Sequence, residues 1–304
     1  MKRKLKLALT IIILATTLGL FVHYAATHPD VIRKVGDLTP GMLALLLVFY
    51  AMWFAAISVV LKISLAMYNK PISKQENLLL NAYSSLVNFF GPGQSGPAFR
   101  GLYLKKRHNF SLKHYIFTTL LYYAFYAVLS AFLLCVGSRP WWQTALLMIA
   151  AAISSVVVIK WYSKRSSLKD QPGVNPTNMA YMFGAVALQM VAQVGIYYVE
   201  LHNVSPGVSF SQILTYTGAA NFALFVSLTP GAIGIREAFL VFSQGLHHIS
   251  NSAIVAANII DRAAYLVVLG IMFVAVVTLH AKDKLHVRQV RASSEKAEQA
   301  DTPT

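Results

Sequence analysis

Ser227-Leu-Thr-Pro230-Gly231-Ala-Ile-Gly234-Ile-Arg236-Glu237-Ala238 interrupts an apolar run with proline and glycine and then sets an arginine beside a glutamate. Far upstream, Asn88-Phe-Phe-Gly91-Pro92-Gly93-Gln-Ser-Gly96-Pro97-Ala-Phe-Arg100 repeats the Pro-Gly-x-x-Gly core, again followed within a few residues by arginine. Proline removes a backbone donor and glycine releases the backbone from helical geometry, so each segment breaks a helix. Inside a membrane, freed backbone groups are tolerated only against protein or a polar cavity, and two broken helices in corresponding places commonly build a transporter's binding site. Pro92, Gly93, Gly96, Pro230, Gly231 and Gly234 are the expected hairpin breaks.

The rest of the chain supplies the membrane. At 56% hydrophobic and 12% charged over 304 residues, with mean hydropathy +0.56, it is too apolar for a soluble domain of this length. The expected class is an all-α polytopic membrane protein. Six spans are read: Leu7 to Phe21, Met42 to Leu61, Tyr115 to Val136, Thr144 to Ile159, Ala180 to Val199 and Ala253 to Leu279. The basic head Met1 to Lys6 precedes a run without a clean cleavage site, so the first span is expected to stay. The semi-polar stretch Glu76 to Phe90 and the stretch from about Gln212 to Leu228 are too short or too interrupted to cross alone. Each is read as one limb of a re-entrant broken helix, the second returning through Ala238 to Leu246.

A net charge of +15 in a soluble protein would suggest nucleic acid. Here all but five of the 26 Lys and Arg fall on one side of the expected spans, the exceptions being Arg33, Lys34, Arg139, Arg236 and Arg262. That asymmetry predicts cytoplasmic N- and C-termini in a plasma (inner) membrane and leaves nucleic acid no role. It also puts the two hairpins on opposite sides. The order span, span, hairpin, span then occurs twice with opposite orientation, over 7–136 and 144–279, an inverted repeat within a membrane domain spanning 1–282. Residues 283–304 are small, polar and charged and are expected to be a disordered cytoplasmic tail.

Charges within the hydrocarbon need a partner or a polar cavity, which singles out Arg236, Glu237, Asp261 and Arg262. One reading has Arg236 and Arg262 holding a lipid phosphate, helped by free N–H groups near Gly231 and Gly234. The other is an internal network in which Glu237 and Asp261 neutralise both arginines. The two weigh evenly and are compatible. Arg100 is either the inner-leaflet counterpart or the first residue of a cytoplasmic basic loop. Gln189 and Gln193 share a helix face, suited to interhelical hydrogen bonds or to a cavity wall, and Asn88 and Asn221 carry the same ambiguity. Trp53, Tyr122, Tyr123 and Tyr126 read as packing or lipid-facing aromatics, Cys135 as a buried small side chain, and His247-His248 as a loop pair. No nucleophile elbow, phosphate loop or dinucleotide fingerprint occurs, so no enzyme, metal or cofactor is expected.

Thr229 to Ala238 resembles the Pro-Gly-x-x-Gly-x-Arg-Glu-Ala motif of the lysylphosphatidylglycerol synthase transmembrane-region family, a flippase-like domain. Asp261-Arg262-Ala-Ala-Tyr-Leu-Val-Val-Leu-Gly270 is similar to its last-helix pattern, and Gly91 to Arg100 to its first broken segment. The resemblance implies a protein that moves, or helps to move, a lipid between leaflets. The family's full-length synthases add an aminoacyl-transferase domain that is missing here, so lipid aminoacylation is not carried over. Gly96-Pro97-Ala-Phe-Arg100 also lacks the acidic residue beside its arginine. The leading expectation is a flippase or scramblase of an anionic or phosphate-linked lipid, its partner a membrane phospholipid or polyprenyl-linked lipid. The alternative is a non-transporting membrane partner of an envelope biosynthesis enzyme acting on lipid or glycan.

Overall fold

The computed structural model describes residues 39–90, 95–138, 175–226 and 235–300, with isolated positions between 142 and 153. Every regular element among them is a helix. Four helices carry a stretch long and apolar enough to cross a membrane: Pro40–Ala66, Leu112–Gly137, Pro176–Val204 and Asn251–Ala275. They correspond to the second, third, fifth and sixth expected spans. The first span and nearly all of the fourth lie outside the described residues, as do Pro92, Gly93, Pro230, Gly231 and Gly234.

α1 (Pro40–Ala66) and α5 (Pro176–Val204) begin alike. In each, proline occupies the first turn, where its missing N–H would have no partner anyway, and a polar N-cap accepts from the backbone. Thr39 accepts from Met42 N–H at 3.3 Å and Asn175 from Asn178 N–H at 2.8 Å. The two helices pack along each other and form the centre of the bundle. Val48, Val59, Val191 and Tyr198 on their outer faces are exposed, as are Leu120 and Ile271 elsewhere, an apolar exterior that suits lipid.

Two helical hairpins flank this pair. α2 (Lys74–Phe90) doubles back into α3 (Ser95–His108), and the sequence after the break fixes the turn. Ser95 Oγ donates to the Val87 carbonyl at 2.9 Å and Gly96 N–H donates to Asn88 Oδ1 at 3.2 Å. A Cβ on Gly96 would sit 2.5 Å from the Ser84 carbonyl oxygen, so only glycine lets the limbs close. α6 (Phe210–Val226) pairs likewise with α7 (Ile235–Phe242), which α8 (Gln244–His247) follows. α6 also lies against α4 (Leu112–Ser138), where the backbones approach so closely that a Cβ on Gly218 would meet Leu134 N at 2.5 Å. α9 starts at Asn251 and continues helically to Ala300. It thus runs through most of the tail expected to be disordered, whose Ala, Glu, Lys and Gln are good helix formers.

Three core clusters set the axis. Leu46, Leu201, Ile213 and Ile254 gather at the end where α1 and α9 begin. Leu65, Leu80, Leu104 and Phe110 gather at the opposite end, which also carries Lys70, Lys74, Lys105, Lys106 and Arg107. Along the flank, Val60, Leu121, Tyr126 and Met182 join α1, α4 and α5.

Candidate functional site

From the basic end, an open cavity reaches the middle of the bundle between α1, α2, α3, α4, α5 and α9. Its lining sets polar side chains among apolar ones such as Ile57, Val60 and Leu61. Asn81, Ser84, Ser85 and Asn88 come from α2, Arg100 from α3, Tyr122, Tyr123 and Tyr126 from α4, and Gln189 and Gln193 from α5. Trp53 and Tyr265 close the floor, packed edge to face at 6.3 Å. The tyrosines are hydrogen-bonded in place: Tyr122 Oη donates to Gln189 Oε1 at 3.1 Å, and Tyr126 Oη donates to Asn221 Oδ1 at 2.9 Å while accepting from Gln193 Nε2 at 3.0 Å. Gln189 and Gln193 therefore serve both roles considered for them. Trp53, Tyr122, Tyr123 and Tyr126, read as packing or lipid-facing aromatics, line the cavity.

Arg100 is the cation of this cavity. Its Nη1 donates to Asn81 Oδ1 at 2.8 Å, its Nε is buried without an acceptor, and among the described residues no carboxylate pairs with it. A half-buried guanidinium held by an amide alone offers its remaining N–H groups to an anion.

At the mouth of the hairpin a second cluster is fully paired. Glu76 accepts from Tyr103 Oη at 2.7 Å and lies 2.6 Å from His108 Nε2. Burial works against the Glu76 charge, but these two bonds and nearby Arg107 hold its carboxyl below the ordinary range. Burial and the same carboxylate push Tyr103 up to about 12.

Beyond the cavity floor the other expected site residues meet. Arg236 Nη1 binds Asp261 Oδ2 at 2.5 Å, and Arg262 Nη2 reaches Glu237 Oε1 at 3.3 Å. α7 and α9 are thus laced by two ion pairs between adjacent residues on each helix. Arg236 lies over the Tyr197 ring at 5.2 Å, and Tyr50 Oη donates to the second Asp261 oxygen. The internal network is therefore present. Among the described residues, Arg236 nonetheless has no acceptor for Nε and Nη2.

Sequence reasoning missed one member. Glu200 falls just beyond the expected fifth span, Ala180 to Val199, yet it lies inside α5 and is wholly buried. A signal existed: Gln189, Gln193, Tyr197 and Glu200 follow at intervals of four, four and three, one polar stripe on one helix face. His247, read as half of a loop pair, is buried in α8. Its Nδ1 accepts from Ile249 N–H at 3.2 Å, and Nε2 faces the Leu240 carbonyl at 3.0 Å, which describes a neutral ring. Among the described residues no group of three His, Cys, Asp or Glu is placed to hold a metal.

Fold and cavity define a multi-pass helical membrane protein with charged groups buried between its helices. The family model of the lysylphosphatidylglycerol synthase TM region matches residues 155–272, the stretch that contains Arg236, Glu237, Asp261 and Arg262. The family resemblance read from the Arg-Glu-Ala motif holds there, and the match suggests a lipid-related role in the membrane. No curated protein matches the chain.

Proposed function

We propose that this protein moves an anionic or phosphate-linked lipid between the leaflets of the plasma membrane by alternating access. The observation that carries the reading is Arg100, a cation without an acidic partner among the described residues, on the wall of a polar cavity inside a membrane bundle. A phosphate headgroup is the ligand such a site suits, and the lipid's tails can remain between the exposed apolar helix faces.

The lining includes Arg100 and Tyr115 toward the basic end, whereas beyond its floor Arg236 and Arg262 are paired with acids. That is the arrangement expected of a carrier open to one side. The packing supports an inverted repeat with two re-entrant hairpins. Matching α1 with α5, α2 with α6, α3 with α7 and α4 with α9, the contact of α2 with α9 has its counterpart in α6 with α4. The contact of α3 with α4 likewise matches α7 with α9. The charge asymmetry supports a cytoplasmic side for the basic end.

The test is mass spectrometry of lipids retained in native membrane discs, combined with leaflet exchange of labelled phosphatidylglycerol in proteoliposomes, for the parent protein and Arg100→Ala. Enrichment of a phosphate-bearing lipid and its exchange, both lost in R100A, support the reading. Equal bulk lipid in both proteins with no exchange in either overturns it, and a co-purifying envelope enzyme would then favour a membrane partner role.

A further inference from the structure

Among the described residues that line the cavity, Arg100 is the one charged side chain. Aromatic rings and neutral hydrogen-bonding groups make up most of the rest. Trp53 and Tyr265 meet edge-on with their planes at 87°, and Tyr122 is tilted by 50° to Tyr123 and by 47° to Tyr126. None of these contacts stacks one ring on another, so ring faces are left for a ligand. The amides are only partly used within the protein. Asn88 is engaged through Oδ1 by Gly96 N–H, and Gln189 through Oε1 by Tyr122 Oη. Among the described residues the amide nitrogens of Asn88 and Gln189 have no acceptor, and the two stand on different helices of the wall, α2 and α5.

These groups choose among headgroups. A phosphodiester supplies the negative charge that Arg100 calls for, and what lies beyond the phosphate should be neutral. An ammonium would share the cavity with the guanidinium, and no carboxylate in the described lining offsets their repulsion. A choline could rest on ring faces, but it offers the amides neither donor nor acceptor, so they would lose water without return. A hexose meets both demands. Its ring C–H groups, slightly positive, suit the negative faces of tryptophan and tyrosine, and its hydroxyls donate and accept as amides do. Glycerol has the hydroxyls without the rigid C–H face.

We propose that the headgroup is a sugar joined to the lipid through phosphate, with the phosphate on Arg100 and the sugar against Trp53, Tyr123 and the amides of Asn88 and Gln189. The inference rests on the lipid-transport reading above and names its substrate class. Water-soluble sugar phosphates carry the same head, so the lipid tail is tested separately.

Calorimetric titration of the full chain in an amine-oxide detergent, which has neither sugar nor phosphate, tests it against empty micelles. The ligands share a citronellyl phosphodiester and differ in the head: glucosyl, mannosyl, galactosyl or N-acetylglucosaminyl, with glyceryl and choline as controls. At least one hexosyl ester should bind roughly tenfold or more tighter than both controls, as a few added hydrogen bonds allow. Trp53→Leu should erase that preference and leave the glyceryl ester bound as before, whereas Arg100→Ala should weaken every ester. Weakening of every ester by W53L would mark Trp53 as packing and overturn its contact with the sugar. Equal affinities in the parent protein, all reduced in R100A, or a choline ester bound tightest, overturn the sugar and leave the lipid-phosphate reading standing. A free hexose phosphate that binds as tightly as its citronellyl ester overturns the lipid-linked form. Binding of none of the esters overturns the transport reading and the sugar with it. The ranking in the parent protein decides should W53L fold poorly.

Discussion

The two hairpins hold their arginines in opposite ways. In α2–α3, Arg100 faces a polar cavity and is held by the amide of Asn81. In α6–α7, Arg236 is packed against Tyr197 and bonded to Asp261 of α9. The difference lies in what each arginine faces. α7 carries Glu237 beside its arginine and meets Asp261-Arg262 on the last helix, whereas among the described residues no carboxylate pairs with Arg100. A cation with a fixed acidic partner locks helices together, and one with a neutral partner remains available to a ligand. The lesson is that the residue opposite each arginine decides whether it is locked into the packing or left facing a cavity.

The most severe way to break this contrast is to remove the acid from the closed hairpin. Asp261→Asn strands Arg236 among buried groups, and loss of one partner of a buried pair costs about 3–5 kcal/mol. Thermal unfolding in detergent should show it, while R100A should unfold near the parent temperature. Equal effects of both variants would erase the distinction. Next comes Gly96→Ala, whose Cβ at 2.5 Å from the Ser84 carbonyl must push α2 and α3 apart. Overpacking of this kind costs roughly 1–3 kcal/mol, and faster hydrogen exchange confined to residues 74–108 would report it.

R100A itself sharpens the functional side. Hydrogen bonds to a charged group contribute about 1.5–3 kcal/mol, so lipid exchange should fall roughly ten- to a hundredfold, and Arg100→Lys should recover part of it. The smallest effect belongs to Glu76. Its folded carboxyl titrates below the unfolded one, so its contribution is complete above the unfolded value, about pH 4.3, and is lost as pH falls through the folded value. For so solvated a group the contribution is under about 1 kcal/mol. Thermal midpoints measured from neutral pH downward should therefore converge for the parent and Glu76→Gln as Glu76 protonates.

Much of this architecture is legible in the chain. Apolar runs with capped starts such as Thr39-Pro40 and Asn175-Pro176 place the spans, because hydrocarbon admits little else. Pro-Gly breaks place the hairpins, and costly charges point to Arg236 and Asp261. The wall of the cavity is less legible. Tyr122 and Tyr126 look like any aromatics of a lipid-facing helix, since a side chain's surroundings depend on which neighbour its face meets. Glu200 misleads for a related reason: near the end of an apolar run, composition cannot tell the last buried turn from the first exposed one.

The sequence by itself determined a helical membrane protein, interrupted twice, with arginines at both interruptions, because hydrophobic length, helix breaking and charge placement are local properties. Only the tertiary structure decided which arginine is neutralised. It alone buried Glu200 within α5 and opened a cavity around Arg100. Those outcomes depend on which side chains face one another across packed helices, and no local pattern encodes that pairing.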